Sequence, residues 1–229
     1  MATPLPWSHS SLEGFTTCPR QYEEIKVLHN FQDQKNPASL WGDRFHRAAE
    51  IYIKMRVQGF AEATLPNDMV QYADYLSQFI NRPGRTFAEQ QYALTRQLTP
   101  CEFFDKTVWA RGIIDVLTLD GARAQVDDHK TGKNRKKDMQ QLIIFALLTF
   151  YHHPEIEVVD TAFHWIQLKA KDTETFHRHQ IPDLWGYLAD KLRRYRDAFH
   201  AGVFPPRPSG LCRAYCAVTS CEFHGRGAR

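Results

Sequence analysis

Several large classes of protein are excluded by what this 229-residue chain has little of. Its longest apolar run, Leu142 to Tyr151, is far shorter than the roughly 20 residues a membrane-spanning helix needs, so no membrane association is expected. Five cysteines are too few for a disulfide-dense scaffold. No apolar signal segment precedes Trp7, so the expected setting is a reducing one, the cytoplasm or its equivalent. A formal charge of +3 is too small to argue by itself for a polyanionic partner. Neither an internal repeat nor a low-complexity linker divides the chain. With 43% hydrophobic and 13% aromatic residues, it reads as one globular domain spanning 1–229.

What is present is concentrated in a hairpin. Val108 to Leu119 is rich in branched and aromatic residues and predicts a strand. Arg123 to Lys130 predicts a second, and the Asp120-Gly121 pair between them is a strong turn signal. Side chains alternate faces, so Asp128 and Lys130 share one face while Asp127 and His129 point to the other. With Asp120-Gly121 as a two-residue loop, Asp115 lies opposite Val126 and diagonal to Asp128. With Gly121-Ala122 as the loop, Asp115 and Asp128 are directly opposed. In both registers two carboxylates and a lysine converge on one face.

Two carboxylates held together repel unless a cation sits between them, which suggests a site for a hard divalent ion, Mg²⁺ or Mn²⁺. Carboxylate oxygens, a backbone carbonyl such as that of His129, and waters would complete its coordination. A lysine alongside can position an attacking water or neutralise charge on a phosphoryl transition state. These are the parts of metal-assisted phosphodiester hydrolysis. The ordinary alternative is an exposed hairpin with solvated charges.

Three of the cysteines, Cys212, Cys216 and Cys221, lie within ten positions and follow Phe204-Pro205-Pro206-Arg207-Pro208, which reads as a non-helical connector. Cys18 lies near the other end, after Leu12 and Phe15 at helical spacing, in a short helix that Ser10-Ser11-Leu12-Glu13 would open as a capping box. The four thiols could bind an iron–sulfur cluster, or structural Zn²⁺ with His224 as a spare ligand, or form disulfides. Spacing alone leaves cluster and zinc close. Cys101 reads as a buried apolar residue.

Lys130, Lys133, Arg135, Lys136 and Lys137 fall within eight positions at the end of the second strand, where phosphate contacts would position a substrate. Lys191, Arg193, Arg194 and Arg196 instead read as a solvated helix face. Helices are predicted at Trp41–Val57 (stripe Phe45, Ala48, Ala49, Tyr52, Met55), Asn67–Ile80, Asp138–Tyr151 and Asp183–Ala201. Further strands are predicted at Thr86–Leu98, Glu157–Leu168 and Thr173–Ile181, the last two joined by Lys169 to Asp172. That order gives an α/β fold, a mixed sheet flanked by helices. Its parts are a helical segment (1–85), an α/β core (86–202) and a cysteine-rich end (203–229). His46, beside an apolar stripe, reads on its own as a structural histidine, and Glu89 as an exposed strand carboxylate.

Six pieces in order carry a resemblance: Ser8-x-Ser10-x-Leu12-x-x-Phe15-x-x-Cys18-Pro19-Arg20, Gly42-x-x-x-His46, Gly112-x-x-Asp115, Asp128-His129-Lys130-Thr131-Gly132, Gln141-Leu142-Ile143-Ile144-Phe145, and Cys212-x-x-x-Cys216-x-x-x-x-Cys221. Together they resemble the PD-(D/E)XK nuclease superfamily, and within it the RecB-like exonucleases, including the CRISPR-associated RecB-family nucleases. The resemblance implies a restriction-endonuclease-like core and a metal-dependent DNA exonuclease. His46, Asp115 and Asp128 would be metal ligands, Lys130 the motif lysine, and Gln141 a residue steadying the site or contacting DNA. Glu89 lies where an acidic residue of related nucleases can approach the metal. The resemblance also favours a [4Fe–4S] cluster on Cys18, Cys212, Cys216 and Cys221, tying the two termini together. Recombination, repair, phage DNA processing or CRISPR adaptation would be the setting, with partner proteins from those processes. Phe145 stands where relatives usually carry Tyr, and the last three cysteines are spaced three and four apart rather than two and five. The rival reading is a catalytically weak, nuclease-like module that binds DNA ends or a partner protein.

Overall fold

The computed structural model describes residues 5–33, 36–133, 135 and 138–226. The backbone divides into two compact units, one made of both chain ends (1–35 with 185–229) and one of residues 36–184.

In the first unit α1 (His9–Thr17) is followed by a single α-turn, α2 (Pro19–Tyr22), and a π-turn at Glu23–Val27. The part of α6 (Ile181–Ala201) from Trp185 onward completes its helices. The box that opens α1 belongs to Ser8, paired reciprocally with Ser11, two residues before the predicted Ser10. Leu12 and Phe15 are buried as expected, but the helix stops at Thr17 and Cys18 is extended and partly exposed. The core is aromatic. Phe15 packs edge-on against Tyr22, Tyr195 and Phe204, and the Tyr22 and Tyr195 hydroxyls share a buried 2.7 Å hydrogen bond. On α6, Arg193 and Arg194 pair with Asp190 and Arg196 with Asp197, all exposed, the solvated face foreseen.

The second unit is a six-stranded sheet in the order β2-β1-β3-β4-β5-β6, flanked by α3 (Pro37–Val57), α4 (Ala73–Ile80) and α5 (Met139–His152). Its strands are β1 (Arg85–Thr95), β2 (Pro100–Cys101), β3 (Val108–Asp120), β4 (Arg123–Lys130), β5 (Val158–Trp165) and β6 (Ala170–His177). All neighbours are antiparallel except β4 and β5, which α5 connects as a parallel crossover. Phe45, Ala49, Tyr52, Ile53, Leu76 and Phe79 of α3 and α4 pack with Ala88 and Val116 of the sheet. Gln141 of α5 meets Asp128, whereas neighbouring Asp127 faces Arg82 and His164, beside Phe79. The helices therefore cover opposite faces.

Local differences from the sequence reading have local causes. Asn67–Tyr72 is a 3₁₀ segment before α4, which brings Met69 and Tyr72 onto one side at three-residue spacing. The turn into β6 is made at Lys169, in the left-handed region (φ +47), so Ala170, Lys171 and Asp172 belong to the strand. Residues 166–168 and 178–180 are 3₁₀ turns, not strand. Met55 and Cys101 are at least partly exposed instead of buried.

Two features position the site. β4 pairs with β3 only as far as Asp127↔Val116, while Val108–Ile114 of β3 pairs with β1 alone. Asp115 thus stands at the fork where the sheet narrows to a ribbon. Between the pairs Ala88↔Val116 and Gln90↔Ile114 lies Glu89, with φ +50. Ala88 and Val116 pack toward α3 and α4, but Tyr92 and Gly112 face α5. Regular alternation would keep all four on one face, so the ribbon changes faces at the left-handed glutamate.

Under the sheet, the fully buried Asp127 carboxylate accepts from Arg82 and from His164 Nε2 at 2.6 Å. Burial acts to raise its pKa, and these two bonds outweigh that and hold it below the carboxylate range. Removing one partner of a buried charge leaves it undercompensated. Arg82→Met is expected to destabilise the protein by about 3 kcal/mol, read as a lowered urea midpoint at unchanged m-value.

Candidate active site

The two-residue loop is Gly121-Ala122, since Asp120 pairs with Arg123. Carried one step past Val116↔Asp127, that register sets Asp115 opposite Asp128, the second of the two arrangements the sequence allowed. The fork determines how Asp115 is used. Its Oδ2 accepts from the backbone N–H of His129 at 2.6 Å, taking the place of a ladder carbonyl, and lies 3.2 Å from His46 Nδ1.

His46 reaches this point because α3 approaches the end of β4 closely. A Cβ placed on Gly42 would lie 2.8 Å from Thr131 Oγ1, so any larger residue one turn before His46 would have to displace that hydroxyl. Glu89 completes the group: ligand atoms of His46, Glu89 and Asp115 all lie within 4.8 Å of one another. Glu89, read first as an exposed strand carboxylate, is the residue most undervalued by sequence reasoning. A left-handed glutamate inside a strand leaves no mark in a hydropathy pattern, and sparsely populated backbone conformations concentrate at functional sites.

Asp128 and Lys130 share a clamp. Lys130 Nζ lies 2.7 Å from Asp128 Oδ2, donates to Gln141 Oε1 at 2.6 Å, and sits 4.6 Å from the centre of the Phe163 ring. Gln141 Nε2 donates to Asp128 Oδ1 at 2.8 Å. One amide supplies both the acceptor for the ammonium and the donor for the carboxylate, which neither glutamate nor lysine could do.

The electrostatics follow from this geometry. Burial works to raise both carboxyls. At Asp115 the hydrogen bond and charge of His46, with the His129 amide, outweigh burial and hold the pKa low. At Asp128 burial and the charge of Asp115 prevail and push it up, against Lys130. Burial acts to lower His46, but Asp115 and its acidic neighbours lift it to about 9. Burial, then Asp115, raise Glu89 to about 7. The group therefore carries protons where a cation would sit, and an imidazole with several carboxylate oxygens suits Mg²⁺ or Mn²⁺.

The His129 ring points to the other face. It is buried against Phe45, Tyr75 and Phe79, Nδ1 meets the Tyr75 hydroxyl at 2.8 Å, and burial lowers its pKa to about 4. Of the basic run, Lys133 is exposed, while Arg135 is engaged by Asp172 (Nε to Oδ2, 3.0 Å) and the Lys171 carbonyl. Lys136 and Lys137 lie outside the described residues.

Within the first unit, Cys18, Cys212, Cys216 and Cys221 line one small pocket, with His224 also at its wall. All four are free thiols and partly exposed. Cys18 Sγ accepts from the Arg207 amide and Cys212 Sγ from the Ser209 amide, each at 3.4 Å. Burial, and also the nearby sulfurs of Cys212, Cys18 and Cys221, raise the Cys216 thiol.

The family model for the PD-(D/E)XK nuclease superfamily matches residues 6–221, and the chain belongs to that superfamily. No curated protein matches it in sequence. Among solved structures it is similar to a candidate exonuclease from Eubacterium rectale (14% identity, 98% of this chain and 89% of that one, TM-score 0.49). It is also similar to the protein SSO0001 (13% identity, 92% and 84%, TM-score 0.47).

A ligand set that starts protonated must release protons on binding metal. Near pH 7, with His46 raised to about 9 and Glu89 to about 7, Mn²⁺ binding is expected to release roughly 1.5 protons. Apparent affinity should rise with pH until His46 has titrated. Calorimetry in buffers of different ionisation enthalpy measures both, and release near zero would mean that His46 is not a ligand.

Proposed function

We propose that this chain is a divalent-metal-dependent deoxyribonuclease that removes nucleotides from DNA ends. The observation that carries the reading is the convergence of His46, Glu89 and Asp115 within 4.8 Å beside the Asp128–Lys130–Gln141 clamp. His46, Asp115, Asp128 and the His129 carbonyl would hold the ion, with Glu89 as a further carboxylate. When bound, it supplies Lewis acidity toward a phosphoryl oxygen and a more acidic water. Asp115 accepts the His129 N–H and so anchors the Asp128–His129 peptide, one unit before the peptide that carries the His129 carbonyl. Lys130, steadied by Gln141, places a positive charge where a phosphate would develop negative charge, and its ammonium can shift from Asp128 toward that oxygen. Lys133 would add a phosphate contact, and Arg135 would do so only by leaving Asp172. Recombination, repair, phage DNA processing and CRISPR adaptation are the settings we carry with this reading.

For the cysteine pocket we propose a [4Fe–4S] cluster. The four sulfurs line one pocket, and a thiolate quartet of this kind can ligate such a cluster. The amide donors on Cys18 and Cys212 suit an anionic sulfur site.

End-labelled single- and double-stranded DNA with Mn²⁺ or Mg²⁺ tests the enzyme. Activity should require metal and fall at least about a hundredfold in Lys130→Ala and Asp115→Ala; cleavage that persists in both would place the chemistry elsewhere. Protein purified anaerobically should contain iron and acid-labile sulfide, both lost in Cys216→Ala together with thermal stability. Stoichiometric zinc without sulfide would replace the cluster with a structural zinc site.

A further inference from the structure

The β1–β3 ribbon extends beyond the metal-site residues, and its far end is unlike the rest of the surface. Among the described residues no large apolar side chain is more exposed than Phe104, at 80%. It lies in the loop between β2 and β3, edge-on to Phe103 with ring centres 5.1 Å apart. The Arg111 guanidinium lies 5.1 Å from the Phe103 ring and 6.0 Å from the Phe104 ring, and no carboxylate among the described residues pairs with it. The fold gains little from a phenylalanine left this far in water. Such a ring, braced from one side by a cation and a second ring, keeps a free aromatic face.

The position of this face narrows what it would meet. Tyr92 stacks on His152, and Gly112 abuts Leu148 and Phe145, so the even-numbered residues of the ribbon face α5. The opposite face is open at Ile113, 39% exposed, and at its partner Gln91, while Ala93 beside Arg111 is buried. Ile113 and then Arg111 follow Asp115 at two-residue steps along β3. At about 3.3 Å per residue the distance from Asp115 to Arg111 is about 13 Å, close to four steps of a stacked nucleic-acid strand at about 3.4 Å each. Arg96 and Lys106 are exposed at the same end, as are Glu102 and Asp105 on either side of the two rings.

We propose that Phe104, braced by Phe103 and Arg111, is a nucleobase-stacking station for an unpaired stretch of the strand whose phosphate lies at the metal site, some four nucleotides away. The inference rests on the nuclease reading for its register but not for its existence. Aromatic faces hold bases of any sequence, and guanidinium groups add to the stack. The station would hold the strand by its bases while the metal site acts on its backbone.

The test measures binding of a labelled oligothymidylate of roughly 20 nucleotides by anisotropy in metal-free buffer. In parallel it measures Mn²⁺-dependent hydrolysis of thymidine 5′-(p-nitrophenyl phosphate), which is too short to reach the loop. Phe104→Ala should bind the oligonucleotide about tenfold more weakly and hydrolyse the small ester at the native rate. Phe104→Trp should keep the affinity, with its indole emission quenched by the oligonucleotide. An abasic oligomer of the same length should not distinguish the variants. Affinity unchanged in Phe104→Ala, or lost equally in Phe104→Trp, would overturn the station. A native protein that binds through Phe104 yet hydrolyses neither substrate would leave the station standing and remove the nuclease reading instead.

Discussion

The fold brings two carboxylates, Asp115 and Asp128, into opposition at a buried fork in the sheet, and much of the site answers that one repulsion. The two respond in opposite directions, Asp115 held low and Asp128 pushed up, as expected when a pair cannot ionise freely together. Each has its own compensation: the His129 amide and His46 for Asp115, Lys130 and Gln141 for Asp128. These groups come from α3, β3, β4 and α5, so the charge balance exists only once the helices on both faces of the sheet have docked. A divalent ion would replace the proton on His46 as the bridge between these elements, which makes metal binding and the order of this region a single equilibrium.

The same hairpin buries a third acid, and its different treatment shows how face decides role. Asp127 points away from the fork and is fully compensated by Arg82 and His164. Nothing there is left for a ligand to satisfy, and this carboxylate serves the packing of α4. Asp128, one residue on, emerges toward α5 with its charge only partly answered. Alternation along a single strand thus separates a fully compensated acid from a partly compensated one.

The meeting of the two carboxylates with Lys130 could be read from sequence because it depends on two-residue periodicity and a turn signal, both local. Asp115, Asp128 and Lys130 come together as the pattern implied and Gln141 joins them as the resemblance implied, while the choice between the two loop registers needed the Asp120↔Arg123 pair. The capping box of α1 was misplaced because several serines competed for the role. Lys169 was missed because a lysine in the left-handed region is a response to a tight hairpin and not a preference of the residue. Tyr75, Arg82 and His164 meet His129 and Asp127 only across the folded core, and no spacing along the chain encodes those contacts.

Glu89 joins these themes. On a regular strand, Ala88 and Tyr92 would face the same side, and β1 would continue as an ordinary edge of the α3–α4 core. The left-handed turn at Glu89 costs on the order of 1 kcal/mol or more for a residue with a Cβ. In return it brings a carboxylate to His46 and Asp115 and turns the remaining ribbon so that Tyr92 and Gly112 pack on α5. That change of face turns Ile113 and Arg111 away from α5, on the side of the ribbon where the Arg111 guanidinium meets Phe104. One strained residue therefore sets both the approach of a third side chain to His46 and Asp115 and the face that the remaining ribbon turns outward. A glycine at this position would relieve the backbone, but it would take away the carboxylate that the strain serves to place.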